Sequence, residues 1–210
     1  MVSAWRAAAV SAVLIALLFG WSRIVQPQAR LHGTPLEPRP APSFAGFVTP
    51  QGKAFHWQGL RGKAVLVFFG YTHCPDVCPM TLAALARALN ALGPMRRDVT
   101  VVFVTLDPQR DTPAVLQGYV DAFFPGIVGL RGSPAAVRAA ARSWGVTWRR
   151  VAARDGSYWI DHTAAVTLIG PGGHLRARYG YGQLTDPSWL DADIRVVLAR
   201  RAGRAAAGAG

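Results

Sequence analysis

FFGYTHCPDVCPMTL, residues 68–82, holds both cysteines of this 210-residue chain, Cys74 and Cys78. Three residues separate them, and a proline follows each. Just upstream, AVLVFFG (64–70) is an unbroken apolar run of strand length. Downstream, Leu82, Leu85, Ala86 and Leu89 fall at the i, i+3, i+4, i+7 spacing that buries one face of a helix, predicted from about Pro79 to Leu92. The thiols therefore stand where a buried strand meets a helix N-terminus, and the remaining elements must be arranged around that junction.

VTVVFVTL (99–106) is too uniformly apolar for a half-exposed strand and reads as a central one. It stops at Asp107-Pro108. Thr112 and Pro113 then supply an N-cap and a first-turn proline for a helix toward Phe124. IVGLRG (127–132) is a short strand. SPAAVRAAARSWG (133–145) has a serine cap, a first-turn proline and a closing glycine, which predicts a helix over 134–144. VTWRRVA (146–152), TAAVTLIG (163–170) and HLRARYG (174–180) read as a β-meander broken by DGSY and GPGG turns. A final helix is predicted from Pro187 to Ala199, and FAGFVTP (44–50) with KAFHW (53–57) reads as a leading hairpin about Gln51-Gly52. A βαβ unit, a helix, an antiparallel hairpin and a last helix make the thioredoxin-like order. The expected class is α/β: a thioredoxin-like domain over 44–198 with an N-terminal β-hairpin.

The ends read differently. Ala7–Ser22 carries no charge and is bracketed by Arg6 and Arg23. As a helix it spans roughly 24 Å at ~1.5 Å per residue, a little short of a ~30 Å hydrocarbon core. Snorkelling arginines and the interfacial Trp5 and Trp21 would make up the difference. A cleaved signal peptide is the competing reading, but no A-x-A site closely follows the apolar run. The expectation is a single transmembrane signal anchor over 1–25, with the domain outside the cytoplasm, on the periplasmic side of the inner membrane if the source is bacterial. Residues 26–43 hold five prolines and predict an extended linker, and residues 199–210 predict a frayed, disordered tail.

A net charge of +12 suggests nucleic acid until it is divided: +3 lies in residues 1–43, +3 in the tail and +6 in the body. With an export signal in front, nucleic acid is a poor partner. An acidic protein or lipid headgroups suit the dispersed charge better.

Three readings fit the cysteine pair. A structural staple is geometrically feasible but closes so small a loop that it stabilises little. A redox dithiol gains from the helix N-terminus, which favours thiolate, although the spacing is C-x-x-x-C rather than C-x-x-C. Where thioredoxins carry a proline facing the thiols, this chain has Asp161-His162-Thr163. In that fold the loop before the later strand faces the cysteine loop, so the third reading is a metal site of Cys74, Cys78 and His162. Two thiolates and one imidazole suit copper(I). A structural zinc site would want a fourth ligand, though zinc with a bound water is an alternative.

Other polar residues have plainer roles. His73 reads as a loop residue, Met80 as packing, and His32, His56 and His174 as surface. Asp76 is favourable charge at a helix start. Asp107, ending a strand beside the site, is expected to orient the cysteine loop, and Asp111 to cap its helix. Asp161 alternates sides with His162 and should not bond its imidazole.

FFGYTHCPDVCPMTL, VTLDPQRDTP, GSPAAVRAAARSWGV and DHTAAVTLIGPGG together resemble the Sco/SenC copper-binding proteins of cytochrome c oxidase assembly, over about Phe44 to Leu198. The resemblance implies copper, as Cu(I) or Cu(II), held by Cys74, Cys78 and His162, with Asp107 and Asp76 close behind them. It implies delivery to the CuA centre of oxidase subunit II, or reduction of that centre's cysteines, with a thiol reductant protein as a second partner. A chaperone has no turnover, whereas a thiol–disulfide reductase would use Cys74 and Cys78 as its catalytic pair. Thr167 and the Gly170-Pro171-Gly172-Gly173 turn depart from the family pattern at the hairpin edge rather than in the ligand set.

Overall fold

The computed structural model describes residues 30–207, so the expected anchor and the start of the linker lie outside the described residues. Among the described residues, no helix is long and apolar enough to cross a membrane. From Leu31 onward the chain forms one compact unit.

Strand β1 (Thr34–Pro35) is followed by β2 (Ala64–Gly70), helix α1 (Val77–Ala91), β3 (Val99–Thr105), α2 (Pro113–Asp121), β4 (Val128–Leu130) and α3 (Pro134–Ser143). Strands β5 (Trp148–Ala152), β6 (Tyr158–His162), β7 (Ala165–Ile169) and β8 (Leu175–Gly180) and helix α4 (Pro187–Ala207) complete the order. The main sheet runs β1-β8-β7-β2-β3-β4, with β2, β3 and β4 parallel and β7 and β8 antiparallel. Every residue of β2 and β3 is buried, which is why both read as continuous apolar runs rather than alternating ones.

Alternation along β2 separates two packed layers. Phe68 meets its register partner Phe103, which meets Tyr119 of α2. Phe69 faces the other side, where Trp144 at the end of α3 stacks on Phe44, with ring centroids 5.1 Å apart. The predicted caps hold: Thr112 accepts from the Val115 N–H and Ser133 from the Ala136 N–H. Gly145 follows α3 at φ +63°, a conformation that favours glycine.

Several expectations are corrected. Strands β5 and β6 pair only with each other, so the predicted meander is a separate two-stranded hairpin followed by β7–β8. The strand missed by sequence is β6, whose YWIDH places His162 on a strand rather than in a loop. The leading hairpin is present but short, with one bridge from Val48 to Ala54, the Thr49 N–H donating to the Lys53 carbonyl at 2.9 Å and the Phe55 N–H to the Phe47 carbonyl at 3.1 Å, while Val48 also bridges Arg131 just past β4. From Leu31 the expected linker does not stand clear of the domain: β1 pairs with β8, Pro40 bridges His174, and Trp57 Nε1 donates to the Pro42 carbonyl. An extended, proline-rich backbone keeps enough donors and acceptors to serve as a sheet edge, the position in a sheet that tolerates proline. Finally, α4 continues to Ala207, well past Ala199, because alanine and arginine are strong helix formers.

His32 is exposed, as expected, and belongs to this strap. The buried Asp193 carboxylate accepts from its backbone N–H at 2.8 Å, from its Nδ1 at 2.9 Å and from the Gly33 N–H at 3.1 Å.

Candidate metal centre

Cys74 lies in the loop leaving β2, Cys78 in the first turn of α1, and His162 at the end of β6. Their ligand atoms all lie within 4.8 Å of one another. Cys78 is fully buried while Cys74 is half-buried, and both are free thiols. Cys78 Sγ stands 3.5 Å from His162 Nε2. A metal about 2.3 Å from each donor in a trigonal plane would set the donors about 4 Å apart, so the triangle fits a soft metal with little adjustment.

The imidazole is oriented from behind. His162 Nδ1 lies 3.1 Å from the Thr163 carbonyl, which can only accept, so the proton sits on Nδ1 and the Nε2 lone pair faces Cys78. Phe68 and Tyr71 flank the ring, with centroids 6.2 and 6.1 Å away.

The thiols are made unequal by their surroundings. A hydrogen bond from the Cys78 thiol is the largest influence on Cys74 and holds it well below the ordinary thiol range, against the opposing effect of burial. That same bond, followed by burial and the neighbouring thiolate, pushes Cys78 up. The pair therefore shares one proton, with the negative charge on the more exposed sulfur. The Cys78 N–H also donates to Cys74 Sγ at 3.4 Å, so the thiolate does the work of an N-cap for α1. Asp76 occupies the N-cap position by sequence, but its exposed side chain makes no cap bond. Gly70 lets Cys78 approach the strand: a Cβ there would lie 3.0 Å from Cys78 Sγ and 2.9 Å from the Phe103 ring.

Two fully buried aspartates hold the halves of the site, and neither has the role expected from sequence. Asp111, not Asp107, holds the cysteine loop. It accepts from the Thr72 N–H at 3.1 Å and the Thr72 hydroxyl at 2.7 Å, and from the Thr105 hydroxyl on β3. Asp107 instead holds the hairpin that carries His162, accepting from Tyr158 Oη at 2.9 Å and from Arg150 at 3.4 Å. Arg110 completes this group: its Nε donates to Asp107 at 2.5 Å, and its guanidinium stacks 3.7 Å over the Tyr158 ring. Thr112 already caps α2, so Asp111 was spare for another partner, and that was the one clue to its role in the sequence. Tyr158, hidden in an apparent turn, gave none.

The other candidates stay outside the triangle. Asp161 pairs with Arg149 on the outer face of the hairpin, as alternation predicts. His73 contacts Thr72 and lies 3.6 Å from Asp111. Met80 is exposed rather than packed, its sulfur accepting from Tyr181 Oη at 3.4 Å.

A known family matches this arrangement: the SCO1/SenC profile covers residues 38–199. The chain belongs to the SCO1/SenC family. It is 36% identical over 134 residues to the Arabidopsis thaliana mitochondrial protein SCO1 homolog 1, a match that covers 63% of this chain and 40% of that one. The chain thus spans about two fifths of the length of that curated relative. Among solved structures, copper-bound Bradyrhizobium japonicum ScoI aligns with a TM-score of 0.65 and 35% identity, covering 79% of this chain and 98% of that one. Apo Sco1 from Thermus thermophilus aligns with a TM-score of 0.69 and 38% identity, covering 81% and 98%. SCO1/SenC membership and the strand order together make the domain thioredoxin-like.

Proposed function

We propose that the protein binds copper through Cys74, Cys78 and His162 and carries it, as cargo, to an acceptor in cytochrome c oxidase assembly. The observation that supports this most directly is the donor triangle itself: two sulfurs and an oriented imidazole nitrogen within 4.8 Å, a soft set suited to copper(I). Copper in the Bradyrhizobium relative and the family resemblance point the same way. Within the family reading, the acceptor is the CuA centre of oxidase subunit II, and the N-terminal segment holds the domain at a membrane, outside the cytoplasm.

The chain's own groups then have defined tasks. Cys74 is a ready thiolate ligand, while Cys78 gives up its proton as metal enters. His162 presents Nε2 because Thr163 holds the opposite nitrogen. Burial of Cys78 behind the half-exposed Cys74 leaves one open side, through which an acceptor's thiolates can replace the ligands one at a time.

The inequality of the thiols also supports a thiol–disulfide reductase. Cys74 would attack a partner disulfide as thiolate. Cys78, losing its proton, would then displace the partner's thiolate and leave the Cys74–Cys78 disulfide.

Anaerobic copper(I) competition against a chelator, with reduced protein and its His162→Ala variant, tests the proposal. One-to-one binding that weakens at least tenfold in the variant is expected. Equal affinity in both would remove His162 from the site, and weak binding in both with rapid thiol exchange would favour the reductase.

A further inference from the structure

A groove of about 290 Å³ opens between the loop after β3, the first turns of α3 and strand β5, which pairs with the strand that carries His162. Pro108, Val137 and Trp148 form its apolar floor, and Arg138, Arg150 and Gln109 line its polar edge. Trp148 is the direct cross-strand partner of His162. Opposite residues of an antiparallel pair share a face and stand about 5 Å apart at Cα, so whatever packs on Trp148 lies one strand away from the imidazole.

The charges in the groove are not balanced. Asp107 is the carboxylate that reaches Arg150, at 3.4 Å, but it is already bound by Arg110 at 2.5 Å, so one negative charge serves two guanidiniums. Gln109 Oε1 accepts from Arg150 at 2.9 Å and fixes the guanidinium at the edge without neutralising it. Stacking over the Tyr158 ring at 4.7 Å holds it further. Arg138 is exposed on α3 and has no ion pair or hydrogen bond among the described residues. An indole and prolines beneath two under-compensated guanidiniums make a surface for a carboxylate next to an aromatic or large apolar side chain. The volume, just under the roughly 300–1,000 Å³ of small-molecule sites, takes one or two side chains rather than a whole metabolite.

We propose that this groove docks an acidic, aromatic-bearing segment of a partner protein, with the carboxylate on Arg138 and Arg150 and the apolar side chain on Trp148. Docking there sets the partner beside the His162 edge of the triangle. That the docked protein is the one exchanging copper or electrons with the site rests on the function proposed above; the docking itself does not.

The test uses the ¹⁵N-labelled 210-residue chain in detergent, reduced and metal-free, with the Trp148 indole N–H assigned by Trp148→Phe. The probe is a pool of heptapeptides with a central aromatic residue flanked by Asp and Glu, compared with a matching pool carrying Asn and Gln. A saturable shift of the Trp148 signal with the acidic pool only is expected. Its apparent affinity should fall at least tenfold in Arg138→Gln, recover in Arg138→Lys, and weaken as salt rises. Three results would overturn the proposal: no shift with several millimolar acidic peptide, an equal shift with the amide pool, or a shift produced by phosphatidylglycerol vesicles and not by peptide. Because copper is absent, failure here leaves the copper assignment standing, and failure of copper binding leaves the groove standing.

Discussion

Replacing Asp111 with alanine should loosen the cysteine half of the metal centre while leaving every metal ligand in place. The carboxylate is fully buried and accepts three hydrogen bonds, two from Thr72 and one from Thr105. Hydrogen bonds to a charged acceptor contribute about 1.5–3 kcal/mol each, but the variant does not lose the full sum. Thr72 is half-buried, so its amide and hydroxyl can turn to water, whereas Thr105 is sealed and its hydroxyl loses this acceptor. A loss near 3–4 kcal/mol follows, within the range of about 3–5 kcal/mol seen when one partner of a buried charged network is removed. Releasing Thr72 frees the loop two residues before Cys74, and losing such an outer-shell support typically weakens metal binding 10–100-fold. Asp111→Asn keeps an oxygen for Thr72 and turns its amide toward Thr105 Oγ1, which can accept, so it should cost less than half as much. Urea unfolding of reduced metal-free protein reads the stability, and copper(I) competition reads the affinity. An alanine variant within about 1 kcal/mol of the parent, binding copper normally, would show that the loop is held by something else.

The unequal thiols predict that Cys74 is alkylated by iodoacetamide well below the ordinary thiol pKa of about 8.5 while Cys78 stays unmodified, which mass spectrometry of peptides resolves. Equal modification of both at every pH would contradict that ordering. A depressed folded-state pKa adds stability that is present above the unfolded thiol value and lost as pH falls through the folded one. The raised Cys78 acts in the opposite sense only above the unfolded value. Reduced apo protein should therefore gain stability from pH 5 toward about 8.5 and lose it beyond, relative to Cys74→Ser, where that rise should disappear. Gly70→Ala should cost about 1–3 kcal/mol and weaken copper binding, because its Cβ would displace Cys78 or Phe103. Gly59→Ala, with nothing within 4 Å of the added methyl, is the control that should retain copper affinity.

Strands β2 and β3 and helices α1 to α3 could be read from the sequence because local signals and tertiary placement agree there: buried runs, N-caps at Thr112 and Ser133, and a stop at Gly145. The linker misled because proline content argues against helix but says nothing about whether an extended segment finds a sheet edge. What fixes it is Asp193, some 160 residues away in sequence, which no local pattern reveals. The same limit applies to the site. The two cysteines declare themselves by spacing, and His162 follows from knowing which loops the fold brings together. Asp107 and Asp111 lie four residues apart in one loop with similar local chemistry. Which of them reaches Thr72 and which reaches Tyr158 depends on the path of the backbone after β3.

X-ray absorption at the copper edge of the anaerobic copper(I)-loaded chain, with and without His162→Ala, puts the copper assignment to its sharpest test. A three-coordinate centre with two sulfur and one nitrogen scatterers is expected, losing the nitrogen in the variant. A two-sulfur spectrum identical in both proteins would contradict it and take His162 out of the copper site.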